Sequence, residues 1–569
     1  MSETTYQLIA IGVYFAAMLA IGYYAYTRTR NIDGYMLAER GLHPAVAALS
    51  ANAADMSGWL LMGLPGAIYA SGLIESWIAI GLTIGAWLNW KFVAPRLRAY
   101  TEIAGDSITI PSFFGRRLRD RTNLLRIVAA LVILAFFTFY VSSGMVAAGK
   151  FFESSFGWEY LHGVLLVAAI TLVYTLFGGF IGATLTDVAQ GLLMFAALVA
   201  VPIVAVFKMG SPGEIVDGAQ AVNPDVFNLF AGSDGAALLA LSIVSTAAWG
   251  LGYFGQPHII VRFMALRSSA DAHYGRIVST TWMIITALGA ITTALIGIAY
   301  FNGPDPAKQI DDPETVFLLL SQIFFHPLVA GFVLAAVLAA IMSTMSSQLV
   351  VCSSALVEDL VNLTGRKASD KALLVYGRVG VLVVALVGLV LALDPDSAIL
   401  ELVAFAWAGF GAAFGPIVLL SLYWRRLTAS GAIAGMVVGA VTVFVWGNID
   451  SLSDRLYEIV PGFALNLLVA IVVSLVKPST DPEIQAEFER MEHELADGRG
   501  DIDLARQGGA DSGASLVYGT WPKVCRRTQA CMAIAAAAPA LIERVEPYCV
   551  ISRTASHTSS ISGEIPGPS

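Results

Sequence analysis

The sequence predicts an all-α integral membrane protein with about 13 transmembrane helices, and both composition and spacing support this fold class. Of the 569 residues, 57% are hydrophobic and 13% are charged, a balance typical of membrane proteins rather than water-soluble ones. The apolar residues form stretches of about 20, which is long enough to cross the hydrocarbon core of a bilayer as a helix. These stretches lie near residues 6–26, 44–70, 73–94, 124–149, 160–180, 186–207, 236–257, 277–300, 316–350, 373–393, 399–422, 430–447 and 457–476.

The chain is predicted to divide into a transmembrane domain, residues 1–476, and a cytoplasmic tail, residues 477–569. The charged segment 482–499 is predicted to form a short solvated helix. From Gly500 onward the chain is rich in Gly, Ala and Ser without a clear period, so we expect most of the tail to be disordered.

Basic residues alternate between successive loops, which predicts the orientation. The loops after spans 1, 3, 7, 9 and 11 contain most of them, and the intervening loops contain acidic residues instead. The basic residues of these loops are Arg28, Arg30, Arg40, Lys91, Arg96, Arg98, Arg116, Arg117, Arg119, Arg121, Arg126, Arg262, Arg267, Arg276, Arg366, Lys367, Lys371, Arg425 and Arg426. Positive loops face the cytoplasm, so the N-terminus is predicted outside and the C-terminus inside. Topology and anionic membrane lipid account for these charges without a nucleic-acid partner.

Spans 2 and 7 are both interrupted by Gly and Pro, and they lie five spans apart. Paired interruptions at corresponding positions of two halves are typical of inverted-repeat transporters that bind their substrate near the bilayer midplane. An odd offset gives the two halves opposite topologies. The predicted repeats are residues 44–207 and 236–422, with one helix before them and two after them.

Asp55 is the strongest candidate for chemistry, because it lies in the middle of the apolar stretch LSANAADMSGWLLMGLPG. A carboxylate inside a membrane is costly and is usually functional. The alternative is a helix-cap or packing carboxylate paired with a basic residue, but span 2 contains no Arg or Lys.

Span 9 contains the adjacent hydroxyl residues Ser343 and Thr344. Hard cations bind neutral carbonyl and hydroxyl oxygens, so this pair and an opened carbonyl in span 2 would suit sodium. The alternative is that both hydroxyls bond the carbonyl one turn back in their own helix, as is common in membrane helices. The pattern does not reveal whether spans 2 and 9 touch.

Two further features have a functional and a structural interpretation. Trp249 and Tyr253 share one helical face of span 7, with Pro257 after them, and they predict either a ligand pocket or an aromatic packing stripe. Asp187 begins span 6, and its position at a span end favours an interfacial residue. The chain contains no phosphate-binding loop and no hydrolase or metalloprotease motif, so the sequence supports neither an enzyme nor ATP-driven transport.

The chain contains, in order, the motifs LSANAADMSGWLLMGLPGAIYASGLIESWIAIGLTIGAWLNWK, WGLGYFGQPHIIVRFMA, AAIMSTMSSQLVVCSSALVEDL and FAWAGFGAAFGPIVLLSLYWRR. These motifs resemble the sodium/solute symporter family, and within it the members that transport proline. The resemblance is nearly continuous from about residue 5 to 476. It implies a leucine-transporter-type fold of two inverted five-helix repeats in the bacterial inner membrane. It also implies uptake of L-proline together with sodium by alternating access, without an obligate protein partner.

The resemblance also implies roles for individual residues. Backbone oxygens of Ala53, Met56 and Ala340 and the hydroxyls of Ser343 and Thr344 would hold sodium. Asp55 would support the ion by its charge, and Asp187 is a further position linked to sodium. The proline site would use Ser57, Gly58, Tyr140, Trp249, Tyr253 and Pro257.

Three other functions remain open from the sequence. The chain could transport another small organic solute, such as pantothenate or a sugar. It could be a membrane sensor that binds a solute and signals through its tail, or an ion channel. Sodium-driven accumulation of a solute against its gradient separates the first of these from the other two.

Overall fold

The computed structural model describes residues 2–28, 40–231, 235–302, 309–361, 370–395, 397–478 and 481–511, and these ranges are helical apart from loops and one isolated β-bridge. The described residues up to 503 form one compact unit, and the described residues 504–511 belong to a second unit. The α-helices of the first half are α1 Glu3–Arg28, α2 Pro44–Asp55, α3 Leu64–Ser71, α4 Ser76–Leu88, α5 Ala94–Ile103, α6 Ile110–Arg117, α7 Leu124–Phe156, α8 Tyr160–Met209 and α9 Pro212–Val222. Those of the second half are α10 Ala236–Ala247, α11 Pro257–Met264, α12 Ala272–Phe301, α13 Val316–Phe324, α14 Pro327–Ser354, α15 Asp370–Leu391, α16 Ile399–Tyr423, α17 Ala429–Gly447, α18 Asp450–Ser453, α19 Ile459–Val476 and α20 Pro482–Asp511.

Within the described ranges, 10 helical segments are long and apolar enough to cross a membrane. The longest is α8, whose 50 residues would extend about 75 Å as one straight helix, more than twice the thickness of a hydrocarbon core. Gly179 breaks α8 with φ 56° and ψ −153°, a backbone conformation that favours glycine. The break divides α8 into two segments of membrane-spanning length, close to the boundary predicted between spans 5 and 6.

The predicted interruptions of spans 2 and 7 are confirmed. Span 2 consists of α2, the three residues 56–58, a π-helical turn Trp59–Gly63 and α3. Span 7 consists of α10, a 3₁₀ segment Ala248–Phe254 and α11. The two broken segments lie in the interior, where α2 packs against α8, α12 and α14 and the 3₁₀ segment packs against α4 and α16.

The predicted span 316–350 is wrong at its start, because the structure contains two helices there, α13 and α14. Pro327 begins α14 and restricts the preceding residue to extended backbone, and His326 indeed has φ −57° and ψ 137°. The predicted basic loop after span 3 is also wrong over residues 91–103. A π-helical turn Asn89–Val93 and helix α5 continue span 3 there, and the Arg98 side chain in α5 is buried.

The predicted solvated helix near 482–499 is found as the longer helix α20, but part of its surface is buried. Phe488, Met491 and Leu495 join the main hydrophobic core, and Glu487 forms an ion pair with Arg119 at 2.6 Å. The start of α20 is therefore held by apolar packing as well as by charge. Residues 512–569, for which disorder is predicted, lie outside the described ranges.

Candidate cation and solute site

The backbone of span 2 leaves the helix at Met56, directly after Asp55. Met56 has φ −83° and ψ 78°, and the Ser57 N–H donates to the Asp55 carbonyl at 3.0 Å instead of reaching back a full helical turn. The carbonyls at the end of α2 are thereby opened to side chains from other helices. Gly58 keeps the break compact, because a Cβ there would lie 3.0 Å from the Cβ of Ala147 in α7.

The hydroxyl pair of α14 meets this break. The Ser343 hydroxyl donates to the Ala53 carbonyl at 2.6 Å and lies 3.1 Å from the Ala340 carbonyl. The Thr344 hydroxyl is buried and has no hydrogen-bond partner in the described part of the chain. Spans 2 and 9 therefore touch at the residues that the sequence singled out, and they place hydroxyl and carbonyl oxygens together in a buried site. Met56, the remaining predicted ligand, is fully buried in the break itself.

Asp55 is almost completely buried, with an exposed fraction of 1%. One carboxylate oxygen, Oδ2, accepts a hydrogen bond from the Tyr253 hydroxyl, and the other, Oδ1, has no partner among the described residues. No basic side chain in the described ranges forms an ion pair with it. A buried carboxylate with one open oxygen favours a bound cation nearby, since an uncompensated charge in such a place is costly. The interpretation of Asp55 as a paired packing residue is therefore wrong for these ranges.

The second broken segment exposes carbonyls that side chains from other helices satisfy. Trp407 donates from its indole Nε1 to the Trp249 carbonyl at 2.7 Å, and Asn89 donates from Nδ2 to the Tyr253 carbonyl at 2.9 Å. Gly252 makes the first bond possible, because a Cβ at that position would lie 1.9 Å from the Trp407 Nε1. The 3₁₀ segment is thus fixed through its backbone to α16 and to the π-helical turn that follows α4.

The aromatic residues of span 7 form a cluster that reaches Asp55. The ring of Trp249 stacks on Tyr457 with centroids 5.5 Å apart, and Tyr253 meets Trp407 edge-on at 5.2 Å. The Tyr253 hydroxyl, at the end of this cluster, donates to the Asp55 carboxylate. The cluster therefore connects the second broken segment to the first one. Aromatic residues that only packed against neighbouring helices would not need this hydrogen bond.

The other predicted solute residues divide into two groups. Tyr140 of α7 is buried beside Ser57 and Asp55, so it lies at the same break. Pro257 begins α11 and lines a separate apolar cavity with Phe180 and Val350. The structure brings together all the predicted solute residues except Pro257, which follows the second break by one turn.

Asp187 is not an interfacial residue, and that interpretation is wrong. It is fully buried in the second segment of α8, where its Oδ2 accepts hydrogen bonds from Arg262 at 2.9 Å and from Ser50 at 2.7 Å. The Arg262 guanidinium also donates to the Ser347 hydroxyl at 2.6 Å. This network, Asp187, Arg262, Ser50 and Ser347, ties α8 and α11 to α2 and α14, the two helices that hold the predicted cation ligands.

Sequence reasoning missed the roles of Arg262 and Trp407. Arg262 was counted among the loop charges that set the orientation, yet it is fully buried inside α11. One signal could have identified it, because it follows Pro257 within the apolar run PHIIVRFM, where a loop residue is not expected. Trp407 carried no separate signal, since nothing in its own stretch indicates a bond to a carbonyl of span 7.

Comparison with known proteins gives consistent matches over most of the chain. A sequence profile described as the sodium:solute symporter family matches residues 35–439. The high-affinity proline transporter PutP of Bacillus subtilis (strain 168) is 54% identical over 472 residues, which cover 83% of this chain and 98% of that protein. The osmoregulated proline transporter OpuE of the same strain is 53% identical, covering 82% and 94%. The sodium/proline symporter of Staphylococcus aureus (strain JH9) is 47% identical, covering 85% and 95%.

A solved structure shares the fold. A Na⁺-coupled sialic acid symporter in a substrate-bound outward-open state superposes with a TM-score of 0.72 at 20% identity, over 84% of this chain and 98% of that one. The all-helical arrangement with two broken segments is therefore that of a known sodium-coupled transporter fold.

Replacing Thr344 by Ala should raise the sodium concentration that half-stabilises the purified protein about tenfold. One interaction with a charged partner contributes roughly 1.5 kcal/mol, which corresponds to about tenfold in affinity. The measurement is the thermal unfolding midpoint in detergent over a sodium titration, with potassium keeping the ionic strength constant. Thr344→Ser, which keeps the oxygen, should behave like the unmodified protein. So should Ser354→Ala, because the Ser354 hydroxyl only bonds the Val350 carbonyl of its own helix. If the unfolding midpoint of Thr344→Ala depends on sodium concentration as it does in the unmodified protein, the Thr344 hydroxyl is not a sodium ligand.

Replacing Arg262 by Gln should lower the free energy of unfolding by about 3–5 kcal/mol, because it leaves the Asp187 carboxylate buried without its cation. The double variant Asp187→Asn/Arg262→Gln should recover a large part of this loss, since neither member of the pair then carries a buried charge. Unfolding midpoints of the purified variants provide the measurement, with Arg455→Gln, at an exposed arginine, as the control. A double variant less stable than Arg262→Gln alone would contradict this account of the pair.

Proposed function

The chain belongs to the sodium:solute symporter family, and on this premise we propose that it is a secondary transporter that takes up L-proline together with sodium. The observation that carries the proposal is the meeting of α14 with the break in span 2, where the Ser343 hydroxyl lies 2.6 Å from the carbonyl of Ala53, two residues before Asp55 and its open carboxylate oxygen. The names of the relatives support proline as the solute, because three of them, at 47–54% identity, are proline transporters or symporters.

We propose that sodium binds between α2 and α14. Its ligands are the carbonyl oxygens of Ala53, Met56 and Ala340 and the hydroxyl oxygens of Ser343 and Thr344. The geometry supports this set in two ways. The Ser343 hydroxyl lies within hydrogen-bond distance of both the Ala53 and the Ala340 carbonyl oxygens. The Thr344 hydroxyl has no competing hydrogen-bond partner among the described residues. Asp55 supplies the compensating negative charge without needing to contact the ion. Asp187 supports sodium binding indirectly, through Ser50 and Arg262, because its carboxylate is already paired.

We propose that proline binds on the other side of the same break. Proline has a carboxylate, a secondary ammonium and a small apolar ring. The helix that restarts after Ser57 and Gly58 presents N–H groups that suit the carboxylate, as at other discontinuous transporter helices. The rings of Tyr140, Trp249 and Tyr253 provide an apolar wall for the pyrrolidine ring and a favourable site for its cationic nitrogen. Pro257 acts by fixing the start of α11.

The proposed architecture is a leucine-transporter-type bundle of 13 spans. The 10 long helical segments, the broken pair α2–α3, the division of α8 at Gly179 and the helix α15 together give this number. Inverted repeats at 44–207 and 236–422 follow from the two breaks, with α1 before them and α17 and α19 after them. The alternation of basic loops supports an external N-terminus and a cytoplasmic tail, residues 477–569, in the bacterial inner membrane.

Coupling follows from the shared break. Sodium orders the end of α2 and the hydroxyl pair of α14, and the ordered backbone at Ser57 and Gly58 then binds proline without a further ordering cost. By linkage, bound proline must tighten sodium by the same factor. Rocking of one repeat against the other then exposes the loaded site to each side in turn.

Proteoliposomes that contain the purified protein should accumulate labelled L-proline only when an inward sodium gradient is present.

Asp55→Asn should raise the half-saturating sodium concentration at least tenfold, because it removes the one uncompensated negative charge at the site. Replacement of Tyr253 by Phe should change the half-saturating proline concentration more than that of sodium. Asp454→Asn, at an exposed acid, is the control.

A competition panel of solutes in the same assay decides the substrate. Proline should compete most strongly, and a pantothenate or sugar that competes better would overturn the assignment of the solute. Downhill flux alone, unaffected by collapse of the sodium gradient, would indicate a channel. Binding without any flux would indicate a sensor.

A further inference from the structure

A cavity of about 430 Å³ lies outside the transport site, at one end of the helical bundle. Four segments that are distant in sequence meet there: the π-helical turn and first residues of α5, the start of α12, the end of α16, and Leu495 of α20. Its polar and aromatic lining includes Lys91, Arg96, Arg276, His273, Trp90 and Tyr423. We refer to it as the basic cavity.

The basic cavity contains three permanent positive charges and no acidic residue among its lining residues. Two acids adjoin lining residues in the sequence: Asp271, which is engaged by Arg267, whose Nε lies 3.1 Å from a carboxylate oxygen, and Glu494, which precedes Leu495 on α20. Aromatic rings hold two of the cationic groups in place. Lys91 lies over the Trp87 ring at 4.5 Å, and Arg96 lies over the Tyr423 ring at 4.2 Å. The positive charges of Lys91 and Arg96 are therefore fixed in position, and they suit an anion.

The cavity lies where membrane-spanning helices begin and end. Helix α12 begins at Ala272 and α16 ends at Tyr423, and both residues line the cavity. Trp87 and Tyr423 are 36% and 44% exposed, as is typical of aromatic residues at a membrane–water interface. An anion bound here would therefore lie at the level of the lipid headgroups.

Two exposed apolar strips lead from the basic cavity along the helices. On α4, Ile84 and Trp87 precede Lys91 by seven and four residues, so all three lie on one side of the helix. On α12, Ile284 and Leu288 follow Arg276 at multiples of four residues, and they are 44% and 58% exposed. Helices α4 and α12 pack against each other. A free inorganic anion would not contact these apolar strips, whereas the two acyl chains of a phospholipid would pack against them.

We propose that the basic cavity binds the phosphate of an anionic phospholipid, with the acyl chains lying along the strips of α4 and α12. Basic pockets between transmembrane helices at the cytoplasmic face are known to suit such headgroups. The proposed orientation of the chain places the cavity at that face. The inference does not depend on which solute the protein transports.

Titration of the purified full-length chain in detergent tests the proposal. Phosphatidylglycerol should raise the thermal unfolding midpoint, and phosphatidylcholine with the same acyl chains should not. In the triple variant Lys91→Gln/Arg96→Gln/Arg276→Gln, the half-stabilising concentration of phosphatidylglycerol should rise roughly tenfold or more, because three headgroup charges lose their partners. The charge-conserving variant Lys91→Arg/Arg96→Lys/Arg276→Lys should bind like the unmodified protein.

The matched control Arg121→Gln/Arg426→Gln/Lys477→Gln removes the same charge at exposed positions outside the basic cavity. An equal loss of binding in this control would overturn the proposal, because it would indicate general electrostatic attraction. Stabilisation by inorganic phosphate at the same concentration, lost in the triple variant, would also overturn it in favour of a soluble anion. Arg96 donates to the Leu422 carbonyl, so its replacement could impair folding. Lys91→Gln alone then provides the test and should weaken phosphatidylglycerol binding several-fold.

Discussion

A carboxylate in the middle of a membrane-spanning segment has to be compensated, and Asp55 imposes that constraint on the transport site. The only hydrogen bond to its carboxylate within the described ranges comes from Tyr253, which belongs to the second broken segment. The backbone must leave the helix at Met56 to bring carbonyls near the charge, and α14 must approach closely enough for Ser343 to reach Ala53. A bound cation completes this arrangement without any basic residue. The two breaks, the aromatic cluster and the hydroxyl pair are therefore parts of one site.

The buried pair of Asp187 and Arg262 has a different role from Asp55, although both acids lie inside the bundle. Asp187 is paired with Arg262 through its Oδ2, which also accepts from Ser50 on α2, while Arg262 bonds to Ser347 on α14. Buried ion pairs add little net stability compared with apolar packing, but removal of one member is costly. The pair therefore fixes the relative position of the helices that carry the proposed cation ligands, and any opening of the proposed site toward α11 has to rearrange it.

The sequence alone predicted the features that have local causes. An acid within an apolar run identifies Asp55, and Gly and Pro within apolar spans identify the two breaks. The partnership of Asp187 with Arg262 was not predictable, because each residue lies near a predicted span boundary and only packing decides that both are buried. The bond from Trp407 to the Trp249 carbonyl joins residues 158 positions apart and depends on the space left by Gly252. The basic cavity likewise requires four segments to converge, and in the sequence its basic residues look like the loop charges that set the orientation of the chain.

The central claim is that one break in span 2 serves both cation and solute, so their binding must be coupled through Asp55. Equilibrium binding of labelled proline to the purified protein at graded sodium, and of sodium at graded proline, tests it directly. The account predicts that each ligand tightens the other by the same factor. It also predicts that Asp55→Asn brings this factor close to one while proline at saturating concentration still binds. Proline affinity that does not change with sodium in the unmodified protein would contradict the account.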